Sequence, residues 1–436
     1  MKTKKLTLIM SIVLAAILLA TPLITSCGGT AKTTTTTNTT TTTTTAKTAS
    51  LEPLKIGMMT PSTGPVPEKG IPGQHGIQDA MLYINSELGG AEGHPINVDW
   101  RDSAYDMAKV GTIVQDFMNE GDILFTTHSA SEMKGAQGAA NAAGFPGIAT
   151  FISTMNLHPP LHIYGPTPDY GDDWVAFAKY YMANIWKGTG RPKMALHLLQ
   201  GTVGQGTLDG AQAMADSLGI DLVDTENHAI STTSEIESLT RIKAKNPDVL
   251  FISSVPAPTA VIIKDAVTLG MYPGITIGCA SASFTKVLTD MAGADVENVY
   301  GVSHTVTWDD NVPGIAKAKE YCLKYHPADY QNMDYLSTWA TCLCIREILA
   351  TAVKNVGYDA IAQGNAASWK LVEEQGIQKV SGYDIEGLQG GTLTYTPGDN
   401  RLDNYLRMSQ IQSGKIVAIG DWQAAPLIKY TKYGDK

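Results

Sequence analysis

The residues best suited to hold a ligand are short hydroxyl side chains that follow apolar runs. In residues 121–156, GDILFTTHSASEMKGAQGAANAAGFPGIATFISTMN, one apolar run ends at Thr126-Thr127 and leads into His128-Ser-Ala-Ser131; a second ends at Thr150 and leads through Phe151 to Ser153. Ser and Thr in such places cap helix starts, whose free N–H groups also hold small polar ligands. Patterns for catalysis are weaker. Gly204-Gln-Gly206-Thr-Leu-Asp-Gly210 has the composition of a dinucleotide loop, with Asp224 further on, but its spacing is GxGxxxG rather than GxGxxG. GxSxG is absent, since Gly278-Cys-Ala-Ser281-Ala lacks the framing glycines, and so is HExxH. His158 and His162 are four apart, but Pro159-Pro160 between them forbids a shared helical face. The neighbours in Asp172-Asp173 and Asp309-Asp310 point apart and read as solvated charge, the first pair fitting the first turn of a helix. No enzyme activity, cofactor or metal site is expected.

The elements that would position the hydroxyls alternate regularly. Strands are expected at residues 54–59, 96–100 and 122–127 and again after the Gly-Phe-Pro-Gly turn of residues 144–147, separated by helices, two of which have apolar residues (Ile77, Met81, Ile84, Leu88; Val110, Ile113, Val114, Phe117) sharing one face. A short strand at 162–165 and a helix over 174–186 lead to a second unit of similar size. Its strands fall at 194–199, 220–223, 249–253 and 275–278, with a loop at 200–206 and helices at 234–245 and 257–269. Residues 299–307 are expected to cross back, a long helix follows at 335–356, and the tail is β-rich at 392–396, 405–411 and 415–419. Such β-α-β-α order implies two α/β lobes, each with a parallel sheet and right-handed crossovers. Ligands of open α/β sheets bind outside the carboxyl ends of the strands, and two such lobes make a cleft.

The chain is 436 residues long, which makes two domains the expectation, and its net charge of −10 with no Lys/Arg cluster argues against nucleic acid. The five cysteines include no CxxC pair; Cys342 and Cys344 read as packing residues in a helix. Lys2, Lys4 and Lys5 precede an apolar run from Leu6 to Ala20, and Leu23-Ile-Thr-Ser-Cys27 follows. A basic start and an apolar segment short for a membrane span read as a signal peptide over residues 1–26, ending in a lipobox-like sequence. Acylated Cys27 would begin the mature chain, and the Thr-rich stretch within residues 27–52 cannot bury enough surface to fold, so it reads as a tether.

From residue 53 onward the chain resembles the solute-binding proteins of branched-chain amino acid ABC importers, the periplasmic binding protein type I family. The resemblance rests on Ile56-Gly-Met-Met-Thr-Pro-Ser-Thr-Gly-Pro65, Asn85-Ser-Glu-Leu-Gly-Gly90, Arg101-Asp-Ser and Gly144-Phe-Pro146. It continues through residues 170–181, Val203-Gly-Gln-Gly206, Asn246-Pro-Asp-Val-Leu-Phe251, residues 391–401 and Ser413-Gly-Lys415. It implies lobe 1 at 53–168 plus 304–403, lobe 2 at 169–303 plus 404–436, and a three-segment hinge near 166–169, 304–308 and 403–405. Partners would be an ABC permease and ATPase, with the protein a lipid-anchored extracytoplasmic monomer. Carried over, the carboxylate-holding positions are Ser129, Ala130, Ser131 and Ser153, or alternatively Thr150. The ammonium side departs from the family: Ala280 stands for an acid, Val203 and Val255 for tyrosines, and Tyr170 for an entrance acid. Lys69 stands where an aromatic residue is common, and reads either as a cation facing the cleft or as a solvated loop lysine. This combination implies a carboxylate or polar head and an apolar or aromatic body packed by Tyr170, Phe151 and Tyr105, with a branched-chain amino acid as the rival ligand. A ligand-sensing receptor domain is the alternative function, ahead of an exported enzyme.

Overall fold

Strands whose apolar runs are bounded by Gly, Pro and hydroxyl residues build two sheets. The computed structural model describes residues 51–435; the expected signal peptide (1–26), the expected lipidation site Cys27 and the Thr-rich stretch lie outside the described residues. The first sheet is parallel throughout, in the order β2-β1-β3-β4-β5. Its strands are β1 (Leu54–Thr60), β2 (Ile96–Asp102), β3 (Phe125–Thr127), β4 (Gly147–Ala149) and β5 (Ile163–Tyr164), connected by α1 (Pro67–Ser86), α2 (Met107–Asn119), α3 (Ala130–Ala143) and α4 (Thr154–Leu157). Strand β3 is shorter than its apolar run: Asp122, Ile123 and Leu124 are buried but precede the paired segment.

The second sheet follows α5 (Tyr170–Tyr180). It holds β6 (Lys193–Leu199), β7 (Asp221–His228), β8 (Val249–Ser253), β9 (Thr276–Cys279) and β10 (Tyr300–Ser303), with α6 (Thr202–Met214), α7 (Ile236–Ala244), α8 (Pro256–Thr268) and α9 (Lys286–Ala292) between them. β8 is buried over its whole length, as a central parallel strand covered on both faces should be. The chain then leaves for α10 (Pro313–Tyr325) and α11 (Met333–Val356) and returns as β11 (Tyr405–Gln412), which pairs antiparallel with β10, followed by β12 (Lys415–Ala418) and β13 (Gln423–Ala424). Helix α11 is the one helix among the described residues long and apolar enough to cross a membrane, but it is mostly buried within the fold. Its Trp339, Leu343, Ile345 and Ile348 join Leu54 and Ile56 of β1 and Ile77 and Ile84 of α1 in one core. Cys342 and Cys344 are free thiols within it.

Three expectations are corrected. Residues 202–206 are not loop: α6 begins at Thr202, so Gly204, Gly206 and Gly210 are helical. Their smallness serves packing. A Cβ on Gly206 would sit 2.4 Å from Ser153 Oγ, and one on Gly210 would lie 2.5 Å from the Gly171 carbonyl oxygen, so α6 can approach α4 and α5 closely only as glycine. Residues 392–396 form isolated bridges (Tyr383 to Leu393, Thr396 to Asp399) rather than a strand. Asp172 and Asp173 do lie in the first turn of α5 and point apart, but they are 3% and 0% exposed rather than solvated. Each is paired across the segments that connect the sheets. Arg401 Nη1 donates to Asp172 Oδ2 at 2.7 Å and its Nη2 to Asp399 at 2.8 Å, while Asp173 Oδ1 lies 2.5 Å from His304 Nε2. Burial opposes charging His304, but Asp173 beside it raises the imidazole pKa overall.

Candidate ligand-binding site

The carboxyl ends of strands from both sheets converge on a small cavity. Pro61, Val66 and Lys69 follow β1; Tyr105 follows β2; His128 and Ser129 follow β3; Phe151 follows β4. From the other side come Tyr170 at the start of α5, Val203 after β6, Val255 after β8 and Ala282 after β9. The cavity measures about 10 Å³, about the room that a single water needs and far less than an organic solute would. Its walls are therefore shut on each other, and an organic molecule can enter only if they part. A roomier cavity of about 110 Å³ lies beside the Lys286–Asp290 ion pair, Trp308 and Lys415, away from the converging strand ends.

Local structure explains how each side chain is presented. Ser129 is the N-cap of α3: its hydroxyl accepts from the Glu132 N–H, and Glu132 Oε2 accepts from the Ser129 N–H and hydroxyl at 2.8 Å each. Glu132 is fully buried, and burial pushes its carboxyl pKa up. Tyr105 reaches the cavity from a turn in which Ala104 and Tyr105 both have positive φ (53° and 56°), and its hydroxyl donates to Ser131 Oγ at 3.0 Å. Two non-glycine residues in the left-handed region mark local strain of the kind concentrated at ligand sites. Burial, with the Asp173 charge, raises the Tyr170 phenol well above its ordinary pKa, so it stays protonated.

The charge at the site is internal. Lys69 sits in the first turn of α1, where the helix dipole disfavours a cation, and is 4% exposed. Its ammonium lies 2.6 Å from Asp334 Oδ1, donates to the Ala282 carbonyl at 3.1 Å, and stands 4.9 Å above the Phe151 ring centre. Asp334 occupies the first turn of α11, where an acid suits the dipole, and Asn332 caps that helix. His128 Nε2 is 3.1 Å from the same Asp334 oxygen. Burial would raise the Asp334 carboxyl, but the Lys69 charge and the His128 hydrogen bond more than offset it and hold the pKa below the ordinary value. Asp334 Oδ2 and His128 Nδ1 are buried with no partner among the described residues.

The sequence candidates divide into those at the cavity and those beside it. Lys69, Ser129, Phe151, Tyr170, Val203 and Val255 line it. Ala130 is fully buried just behind, in one apolar cluster with Phe151, Tyr170 and the valines. Ser131 holds Tyr105 rather than the cavity, and the Thr150 hydroxyl accepts from Thr341 of α11 at 3.2 Å. Ser153 bridges the two sheets' loops, its hydroxyl donating to the Thr202 carbonyl at 2.8 Å. Ala280 stays in the sheet, with its N–H bonded to Ile252, so Ala282 reaches the cavity instead. Asp334 escaped the sequence reading because it looks like any acidic residue at a helix start. His128 carried a signal, lying directly at a strand end.

Two sheets whose strand ends meet at a shut cavity define a two-lobed α/β binding protein. The chain belongs to the periplasmic binding protein family, a solute-binding family whose model matches residues 53–415. No curated protein matches its sequence. Among solved structures it is similar to a Thermus thermophilus branched-chain amino acid ABC transporter protein with bound valine (18% identity, TM-score 0.76, 86% of this chain and 97% of that one). It is likewise similar to an Aeropyrum pernix ABC transporter substrate-binding protein (16%, 0.74, 86% and 97%) and to a Thermomonospora curvata fatty acid ABC transporter substrate-binding protein (16%, 0.73, 86% and 92%).

Proposed function

We propose that this chain is the extracytoplasmic, lipid-anchored solute-binding component of an ABC importer, which closes its two lobes on a small organic solute and delivers it to the permease. The observation that carries this reading is the convergence of seven residues after β1–β4 and four from the second lobe on one cavity too small to admit a solute unless the lobes part. Lobe 1 is 53–168 plus 304–403 and lobe 2 is 169–303 plus 404–436; the crossings at 166–169, 304–308 and 403–405 act as the hinge. Ser129, Tyr105 and His128 face the solute's polar head, while Val203, Val255, Tyr170 and Phe151 pack its apolar body. The Thermus and Thermomonospora relatives, named for branched-chain amino acids and fatty acids, suit an apolar body in this fold.

A thermal-shift screen of amino acids, aliphatic and aromatic carboxylates and their amides tests the reading. A true ligand at 100 times its Kd adds about 2.7 kcal/mol of stability, a shift of several degrees. Flat melting across the screen, together with no co-purifying solute by native mass spectrometry, would count against solute capture.

A further inference from the structure

Buried lysines are rare unless paired, and one buried at the helix end that disfavours it needs a specific set of partners. The Lys69 ammonium has three: the Asp334 carboxylate, the Ala282 carbonyl and the face of Phe151. A carboxylate, a carbonyl and an aromatic face are what a cleft would use to hold the ammonium of a bound amine. The stem of Lys69 comes from one lobe and the Ala282 carbonyl from the other, so the ammonium is fully wrapped when the walls meet. No carboxylate lines the cavity itself.

We propose that Lys69 fills the cleft's amine subsite with the chain's own ammonium, so that the protein selects solutes lacking an amino group and rejects zwitterionic amino acids. This inference rests on the solute-binding reading and names its ligand class. A second ammonium brought into the shut cleft would meet Lys69 as a like charge and would lose its water without gaining a counter-ion. A solute without the amino group carries neither penalty. Asp334 keeps a second carboxylate oxygen, Oδ2, buried without a partner among the described residues, while Lys69 takes Oδ1.

The test has two arms. In the first, the wild-type protein is melted with compounds that differ in the α-amino group: leucine against 4-methylpentanoate and 4-methylpentanamide, phenylalanine against 3-phenylpropanoate and 3-phenylpropanamide. The des-amino member of at least one set should bind about tenfold or more tightly than its amino acid, since a buried charge left without a partner bears its full desolvation penalty. Equal or better binding of the amino acid overturns the inference while leaving solute capture intact. If no compound binds, solute capture loses its support and the second arm decides the inference. There, Lys69→Ala removes the atoms from Cγ to Nζ, and n-propylammonium, which matches them, should raise the melting temperature of the variant but not of wild type or of Lys69→Ala/Asp334→Asn. Equal response of all three proteins overturns the subsite. The first arm needs no variant and stands even if Lys69→Ala does not fold.

Discussion

The two walls of the cleft solve the problem of polar groups differently. The first lobe puts charge at the front: Lys69 borders the cavity with Asp334 immediately behind and His128 beside it. The second lobe fronts the cavity with Val203, Val255 and Ala282 and keeps its imidazoles behind. There His197 and His228 are 0% and 2% exposed, with their Nδ1 atoms 2.9 Å apart, and their Nε2 atoms meet Ser238 and Ser254 at 2.9 and 2.7 Å. Ser254 directly precedes Val255, so this pair supports the apolar wall from inside. One wall can orient a solute electrostatically; the other can mainly exclude water.

If the front charge is a closed pair, breaking it should be the most damaging change. Asp334→Ala leaves the Lys69 ammonium buried and unopposed and should cost about 3–5 kcal/mol, read as a lower denaturant midpoint with an unchanged slope. A loss below about 1 kcal/mol would mean that Lys69 escapes to solvent and that the contrast between the walls is false. The back pair should appear as an acid limb. Burial pushes His228 down to about 3 and His197 to about 4, the latter in spite of nearby Glu235. The unfolded chain takes up these protons near pH 6.5, so the stability tied to neutral imidazoles is complete above that value and drains as pH falls toward 3–4. The His228 share, for a fall from 6.5 to about 3, is on the order of 5 kcal/mol. His228→Gln should flatten the fall in unfolding free energy between pH 6.5 and 4; an unchanged slope would remove this pair from the account. The seam between the walls gives the smallest effect. Ser153→Ala loses one bridging hydrogen bond, worth about 1 kcal/mol, and should weaken binding of whichever probe the screen finds by roughly fivefold through an easier opening.

Much of this arrangement is legible in the sequence, and its gaps have physical causes. Short apolar runs with hydroxyls at their ends mark β3 and β4 because parallel strands are buried on both faces, and strand-end logic brings Ser129, Phe151, Val203 and Val255 to one place. Sequence distance hides the rest. Lys69 and Asp334 are 265 positions apart, and the pair exists only because α1 packs along α11. Glycine spacing around Gly204 suggests a phosphate loop, but small residues serve close helix approach equally well, and Gly206 against Ser153 is that case. Asp172 and Asp173 look solvated because their partners, Arg401 and His304, lie 229 and 131 positions away in the sequence.

Asp173 has a reach beyond its contact with His304. The oxygen not shared with His304 accepts from both the N–H and the hydroxyl of Ser281, at 2.9 and 2.8 Å, and Ser281 adjoins the Ala282 carbonyl that receives Lys69. A single carboxylate thus ties the joint to the rim of the mouth. If the crossings hinge as proposed, rotation there would carry the rim with it, like a lever pinned at its elbow, because one side chain holds both His304 and Ser281.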